Sequence, residues 1–244
     1  MVFSFLVLGV ASARADGFCT RTKAELTEAF ELPDNRLGFR NSGGIGNGGV
    51  CWWHSRLQRS SLYLARYAPT KPRPTYGEAQ ELVRSLVYFT RVIEIPGYSN
   101  FQSFSEDYRE LIQSELNTWQ IRDGFIAQQW IRGLSGKSSL PANQLQSHME
   151  TIYERFQTSE PGLWLMVQIK GITSHALILI GMTRTEQGFQ LRVIDSNRPM
   201  ETRILDYHIG DESLELGDMS FVPYLGFKRD QVLIDRALQA YCGV

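Results

Sequence analysis

The chain has 244 residues and a formal net charge of −1, from 25 Lys and Arg against 26 Asp and Glu. Its 43% apolar and 21% charged content is that of a folded globular protein, long enough for one large domain or two lobes around a substantial core. The near-neutral balance argues against a nucleic-acid partner, which would bring a basic excess, and leaves small or peptidic ligands open.

Val2-Phe3-Ser4-Phe5-Leu6-Val7-Leu8-Gly9-Val10 is an apolar run too short to span a membrane, and Ala13-Arg14-Ala15 after it has the form of a cleavage site. Residues 1–15 are therefore expected to be a signal peptide, although no basic residue precedes the apolar run. The remainder, 16–244, is expected to be one exported domain, periplasmic or secreted, with no stable membrane span. The three cysteines fit that compartment. Cys19 and Cys242 lie near the two ends of the mature chain, and chain ends often meet on a domain surface. A Cys19–Cys242 disulfide would close almost the whole chain, worth ~4–5 kcal/mol in the chain-entropy account. Cys51 is then the odd thiol, which in an exported protein flags reactivity.

Thr22 to Glu31 reads as a helix stopped by Pro33, and residues 34–50 as loop. Gly43-Gly44-Ile45-Gly46-Asn47-Gly48-Gly49-Val50 then runs into Cys51. From Trp52 to Tyr67 there is no Pro or Gly, and Trp53, Leu57, Leu64 and the Tyr63/Tyr67 pair recur at helical spacing. Cys51 thus opens a helix, where unpaired backbone N–H groups and the positive dipole end favour a thiolate. Lys71-Pro72-Arg73-Pro74 is a stiff connector. Thr75 with Glu78 forms a capping box for a helix to about Thr90. Ser103 or Ser105 starts a helix to about Trp119, another apolar-periodic segment runs to Leu134, and Pro141 begins a helix ending near Phe156. The pattern changes at Glu160-Pro161-Gly162. Strands are expected at Leu163–Ile169, Ala176–Met182 and Phe189–Ile194, with a turn at Thr185–Gly188 between the last two, and weaker ones at Thr202–Leu205 and Ser220–Val222. Lys228 to Tyr241 closes the chain as a helix. The class is α+β: a helical lobe over about 16–160 and an antiparallel sheet lobe over about 161–244, sharing an interface.

A nucleophilic thiol needs a base and a group that orients the base. His175 opens one strand, Asp195 closes the next, and the hairpin turn lies midway, so antiparallel pairing brings both to the same end of the ladder. Alternation puts His175 on the face of Leu177 and Leu179, and Asp195 on the face of Phe189, Leu191 and Val193. Pairing these apolar faces sets imidazole beside carboxylate; the register itself is not fixed by the sequence. The other histidines are weaker candidates. His54, three residues after Cys51, reads as a partly exposed helix residue, His148 lies on a polar helix face, and His208 near Asp206 reads as a surface pair. No CxxC, HExxH or dense Cys/His spacing suggests a metal. Gly44-x-Gly46-x-x-Gly49 formally matches a dinucleotide fingerprint but lacks the preceding strand and the acidic residue about twenty positions on, so no cofactor is expected. Acyl transfer also needs an oxyanion hole. The Cys51 N–H is one natural donor, and the Asn47 side-chain amide, or less favourably that of Asn41, is the second.

On Gly48-Gly49-Val50-Cys51-Trp52, Ser174-His175-Ala176 and Val193-Ile194-Asp195-Ser196-Asn197, the chain resembles the papain-like cysteine peptidases. The order Cys, His, Asp and a helical half followed by a sheet half are similar too. The resemblance spans about 41 to 225 and implies a two-lobed cleft with thiol on one wall and imidazole on the other. It departs from the family at Ile45, where the family's glutamine would fall, and at Asp195, where papain has Asn. The expected activity is peptide or amide hydrolysis through Cys51, His175 and Asp195, on a protein, peptide or peptidoglycan-peptide substrate. A cell-wall amidase or a transglutaminase-like acyltransferase would share the triad, and a non-catalytic binding or inhibitory module of the same fold would keep the thiol without the activity.

Overall fold

The computed structural model describes residues 17–45, 48–123, 137–169, 174–226 and 228–243. The signal segment, Asn47 and the apolar stretch expected to reach Leu134 lie wholly or largely outside these residues.

The N-terminal half is helical. Helix α1 (Lys23–Glu31) is capped by Thr22, whose side chain accepts from the Glu25 N–H while Glu25 returns the bond, and helix α3 (Tyr76–Val87) repeats this box with Thr75 and Glu78. Between them, α2 (Cys51–Leu64) is buried along all fourteen residues. It ends sooner than expected: Ala65–Ala68 leaves it as strand β1, paired parallel with β2 (Ile93–Pro96). The helix expected over 103–119 is two helices, α4 (Phe101–Asp107), capped by Asn100, and α5 (Arg109–Ile121), joined at Tyr108.

The C-terminal half is one six-stranded antiparallel sheet. Its strands are β3 (Leu163–Ile169), β4 (Ser174–Arg184), β5 (Gly188–Asp195), β6 (Thr202–His208), β7 (Leu214–Leu216) and β8 (Met219–Leu225), in spatial order β6-β5-β4-β3-β8-β7. The edge strands β6 and β7 approach each other, so the sheet curls close to a barrel. Helix α6 (Ala142–Thr158) packs its Leu145, Met149 and Ile152 against Leu177, Leu179, Leu191 and Val193 in one cluster. The opposite sheet face, with Ala176, Ile178 and Ile194, joins the larger core around α2. Each face thus buries one of the two alternating residue sets. Helix α7 (Arg229–Cys242) lies against α2.

The polar residues of α2 make its burial tolerable. Arg56 bridges Asp123 Oδ2 (2.7 Å) and, with two nitrogens, both oxygens of Asp230 (2.6 and 2.8 Å), and its guanidinium lies 4.3 Å from the Trp119 ring centroid. Arg59 donates to the Gly162 carbonyl at 2.7 Å. Cys19 and Cys242 form a disulfide, tying the chain just before α1 to the end of α7. Among the described residues no helix is long and apolar enough to cross a membrane.

Candidate active site

Cys51 is the first residue of α2, so its backbone N–H has no acceptor within the helix. The glycine loop before it is held by side-chain amides. Along one face of α5, Gln113 donates to Ser42 O, Asn117 Oδ1 accepts from Gly44 N–H, and Gln120 accepts from Ile45 N–H while donating to Gly49 O. Positions 113, 117 and 120 share one face of a helix, which makes this ladder possible. Gly49 has φ +86°, and a Cβ there would strike the Asn41 side chain at 2.5 Å. Glycine therefore serves both the backbone conformation and the close approach.

That approach matters because Asn41 joins the two arms of the site. Its Oδ1 accepts from Val50 N–H at 2.6 Å, immediately before Cys51. Its Nδ2 donates to Asn197 Oδ1 at 3.1 Å, and its backbone N–H donates to Ser196 O at 2.7 Å, immediately after Asp195. With its amide so engaged, Asn41 serves as a tether here, not as a free oxyanion donor. Asn47, the preferred donor on sequence, lies outside the described residues.

The imidazole and the carboxylate meet. His175 Nε2 is 2.7 Å from Asp195 Oδ1, which also accepts from Asn197 N–H at 2.8 Å. The meeting depends on an irregularity in the ladder. Near the turn Met182 pairs with Leu191 and Gly181 with Arg192, but beyond it Leu179 pairs with Val193 and Leu177 with Asp195. One extra residue, Ile180, is inserted between the two registers. An uninterrupted ladder would set Asp195 opposite Ile178, on the face away from His175. The bulge turns it to the face of His175. The sequence supplied the alternation but carried no signal for this bulge.

Cys51, His175 and Asp195 are 8%, 5% and 4% exposed. The thiol points toward the Ser174 carbonyl, with Sγ to O 3.9 Å, and Cys51 interacts electrostatically with the His175 ring. Since Nε2 is taken by the carboxylate, Nδ1 is the ring nitrogen left to the thiol. Burial alone would lower the His175 pKa. The electrostatic interaction with Cys51 and the hydrogen bond and charge of Asp195 override it and raise the value from 6.5 to about 10. Burial pushes the Asp195 carboxyl upward, but its bonds to His175 and to the Asn197 N–H leave it below its usual value.

The remaining histidines stand apart from this arrangement. His54 is 1% exposed, not partly exposed as expected, and its Nε2 lies 2.9 Å from Phe39 O. Burial lowers its pKa to about 4 despite that bond, so it is neutral and donates to the carbonyl. The expected His208–Asp206 pair is instead His208–Asp211, at 3.6 Å, because Asp206 accepts from Gln190. His148 sits 2.5 Å from Pro223 O. Sequence reasoning missed Asn41 as a tether and the amide face of α5. The only trace of the latter is the spacing Gln113, Asn117, Gln120.

Compared with protein-family models, with curated proteins and with solved structures, the chain matches none. The geometry alone carries the functional reading.

Proposed function

We propose that this chain is a thiol-dependent hydrolase, a cysteine peptidase of papain-like layout acting through Cys51, His175 and Asp195. The observation that supports this best is the placement of His175. Its imidazole bonds Asp195 at 2.7 Å and interacts electrostatically with Cys51 at the start of a buried helix, whose Sγ lies 3.9 Å from the carbonyl of Ser174, the residue before His175. Nucleophile, base and orienting group thus lie in one neighbourhood.

In this reading Cys51 Sγ attacks the carbonyl carbon of the scissile bond. Its proton is held on His175 Nδ1 and passes from there to the leaving amine as the C–N bond breaks. Water then attacks the thioester, giving its proton to His175, and the acid leaves as Sγ recovers its charge. Throughout, Asp195 Oδ1 holds Nε2–H, which fixes the tautomer and stabilises the imidazolium. The Cys51 N–H meets the developing oxyanion, with Asn47 proposed as the second donor. The substrate would be a protein, a peptide or a peptidoglycan peptide. Export to an oxidising compartment accords with the Cys19–Cys242 bond.

The test is turnover of a mixed peptide library and of purified cell wall by the mature protein. Cys51→Ala and His175→Ala are each expected to abolish hydrolysis with the circular dichroism spectrum unchanged, and Asp195→Ala to leave reduced activity. Near-wild-type turnover in either of the first two variants would remove the mechanism.

A further inference from the structure

One groove adjoins the triad and carries a charge bias that the whole chain lacks. It encloses about 640 Å³ between the segment around Phe39 and Arg40, the start of α5 at Arg109, and the loop Asn197–Glu201. It is continuous with the catalytic arms: Asn197 lines it and donates its backbone N–H to Asp195 Oδ1 at 2.8 Å. The Asn41 tether to Val50 leaves its wall between Arg40 and Ser42. Three arginines, Arg40, Arg109 and Arg198, face a single acid, Glu201. Glu201 is already engaged by Arg198 at 3.5 Å and by Arg203 at 3.8 Å. Arg40 is exposed and makes no ion pair or hydrogen bond among the described residues. Arg109 has no carboxylate partner there either and lies 5.6 Å from the Phe39 ring centroid. Another cavity, of about 620 Å³, is balanced by contrast, with Arg59, Arg155 and Lys228 facing Glu154, Glu160 and Asp230. A chain of net charge −1 has therefore left two guanidinium groups without an ion-pair partner in a groove that reaches Asp195 through Asn197.

We propose that this groove is a substrate subsite for a carboxylate, so that the enzyme selects peptides carrying an acidic side chain close to the scissile bond. The inference rests on the peptidase reading and names its substrate class. Guanidinium groups bind carboxylates through paired, directional hydrogen bonds. The apolar wall of Phe39 and Met200 lowers the local dielectric on one side and strengthens the attraction. Glu201, its charge already met by Arg198 and Arg203, attracts a basic side chain only weakly, so the net field favours anions.

The experiment measures binding without turnover, in the mature Cys51→Ala protein. The probes are neutral hexapeptides in which one Glu is moved through every position, each paired with its Gln counterpart and titrated by calorimetry or NMR. At one position Glu is expected to bind about tenfold more tightly than Gln, the size of two partly exposed charge-assisted contacts, and the advantage is expected to shrink with added salt. Arg40→Gln and Arg109→Gln should each reduce the preference several-fold, and the double variant should erase it with an unchanged circular dichroism spectrum. Equal binding of Glu and Gln at all positions, absence of binding by any hexapeptide, or a preference that survives the double variant would overturn the proposal. Alkylation of Cys51 in the unsubstituted protein reports on the peptidase reading separately. A fast, His175-dependent reaction alongside no acidic preference rejects the subsite alone. A slow, His175-independent reaction rejects the peptidase reading, while the binding titration still decides what the groove recognises.

Discussion

The imidazole of His175 is buried between a thiol and a carboxylate, and its proton belongs to that environment. Its native pKa lies above the unfolded value of 6.5, so its charge stabilises the fold fully below pH 6.5, and this contribution is lost as pH rises toward about 10. Cys51→Ala removes the interaction with the thiol and should lower the His175 pKa, which an NMR titration of the ring protons would detect; an unmoved value would mean that thiol and imidazole do not interact. His54 works with the opposite sign. Its pKa is depressed to about 4, chiefly by burial, so stability falls as pH drops from 6.5 toward 4. Asn41 carries a second residue-level prediction. It bonds Val50 N–H on the thiol side and Asn197 Oδ1 and Ser196 O on the carboxylate side. Asn41→Ala should cut kcat roughly 10- to 100-fold by loosening the geometry, with KM little changed. Asn41→Asp, which keeps the acceptor for Val50 N–H, should recover part of the loss. A change in KM alone would point to substrate contact instead of positioning.

Helix α2 is the element on which the site is mounted, and Arg56 fixes its surroundings. Arg56 draws Asp123, just beyond α5, and Asp230, in the first turn of α7, onto α2 with all three side chains largely buried. Arg56→Leu would leave two buried carboxylates without a partner and should lower stability by about 3–5 kcal/mol, read from chemical denaturation. A loss under about 1 kcal/mol would mean that water replaces the ion pair. The same element marks the limit of the sequence reading. The cap of α3 was legible because Thr75 and Glu78 lie three residues apart, and the same spacing in Thr22 and Glu25, which caps α1, went unread. The burial of Arg56 on α2 was not legible, because its partners are 67 and 174 positions away. The β1–β2 pair escaped for the same reason: Ala65–Ala68 leaves its helix without Gly or Pro, and only the distant Ile93–Pro96 makes it a strand. The His175–Asp195 proximity was half legible, from alternation and a centred turn, while the bulge at Ile180 that decides the face was not.

At the scale of the whole molecule, the helical half and the near-closed sheet are held together by shared burial and by chain ends that meet. The core around α2 takes in Ala176, Ile178 and Ile194 from the sheet, and Ile234 and Ala237 from α7. The Cys19–Cys242 bond closes a span of 223 residues. Reduction, or Cys19→Ser, should cost about 4–5 kcal/mol in the chain-entropy account and lower the Tm accordingly, without exposing Cys51. An unchanged Tm would mean that α7 is held by packing and Arg56 alone. This tie at the termini was anticipated from cysteine placement, because one pairing leaves one odd thiol.

The central claim is that Cys51 is an activated nucleophile served by His175, and alkylation tests it most directly. Iodoacetamide should modify Cys51 in the native protein much faster than a thiol in a denatured control near pH 6, with one label located on Cys51 by peptide mapping. His175→Ala should lose that advantage while remaining folded. Slow labelling of the native protein, or fast labelling that persists in His175→Ala, would contradict the account.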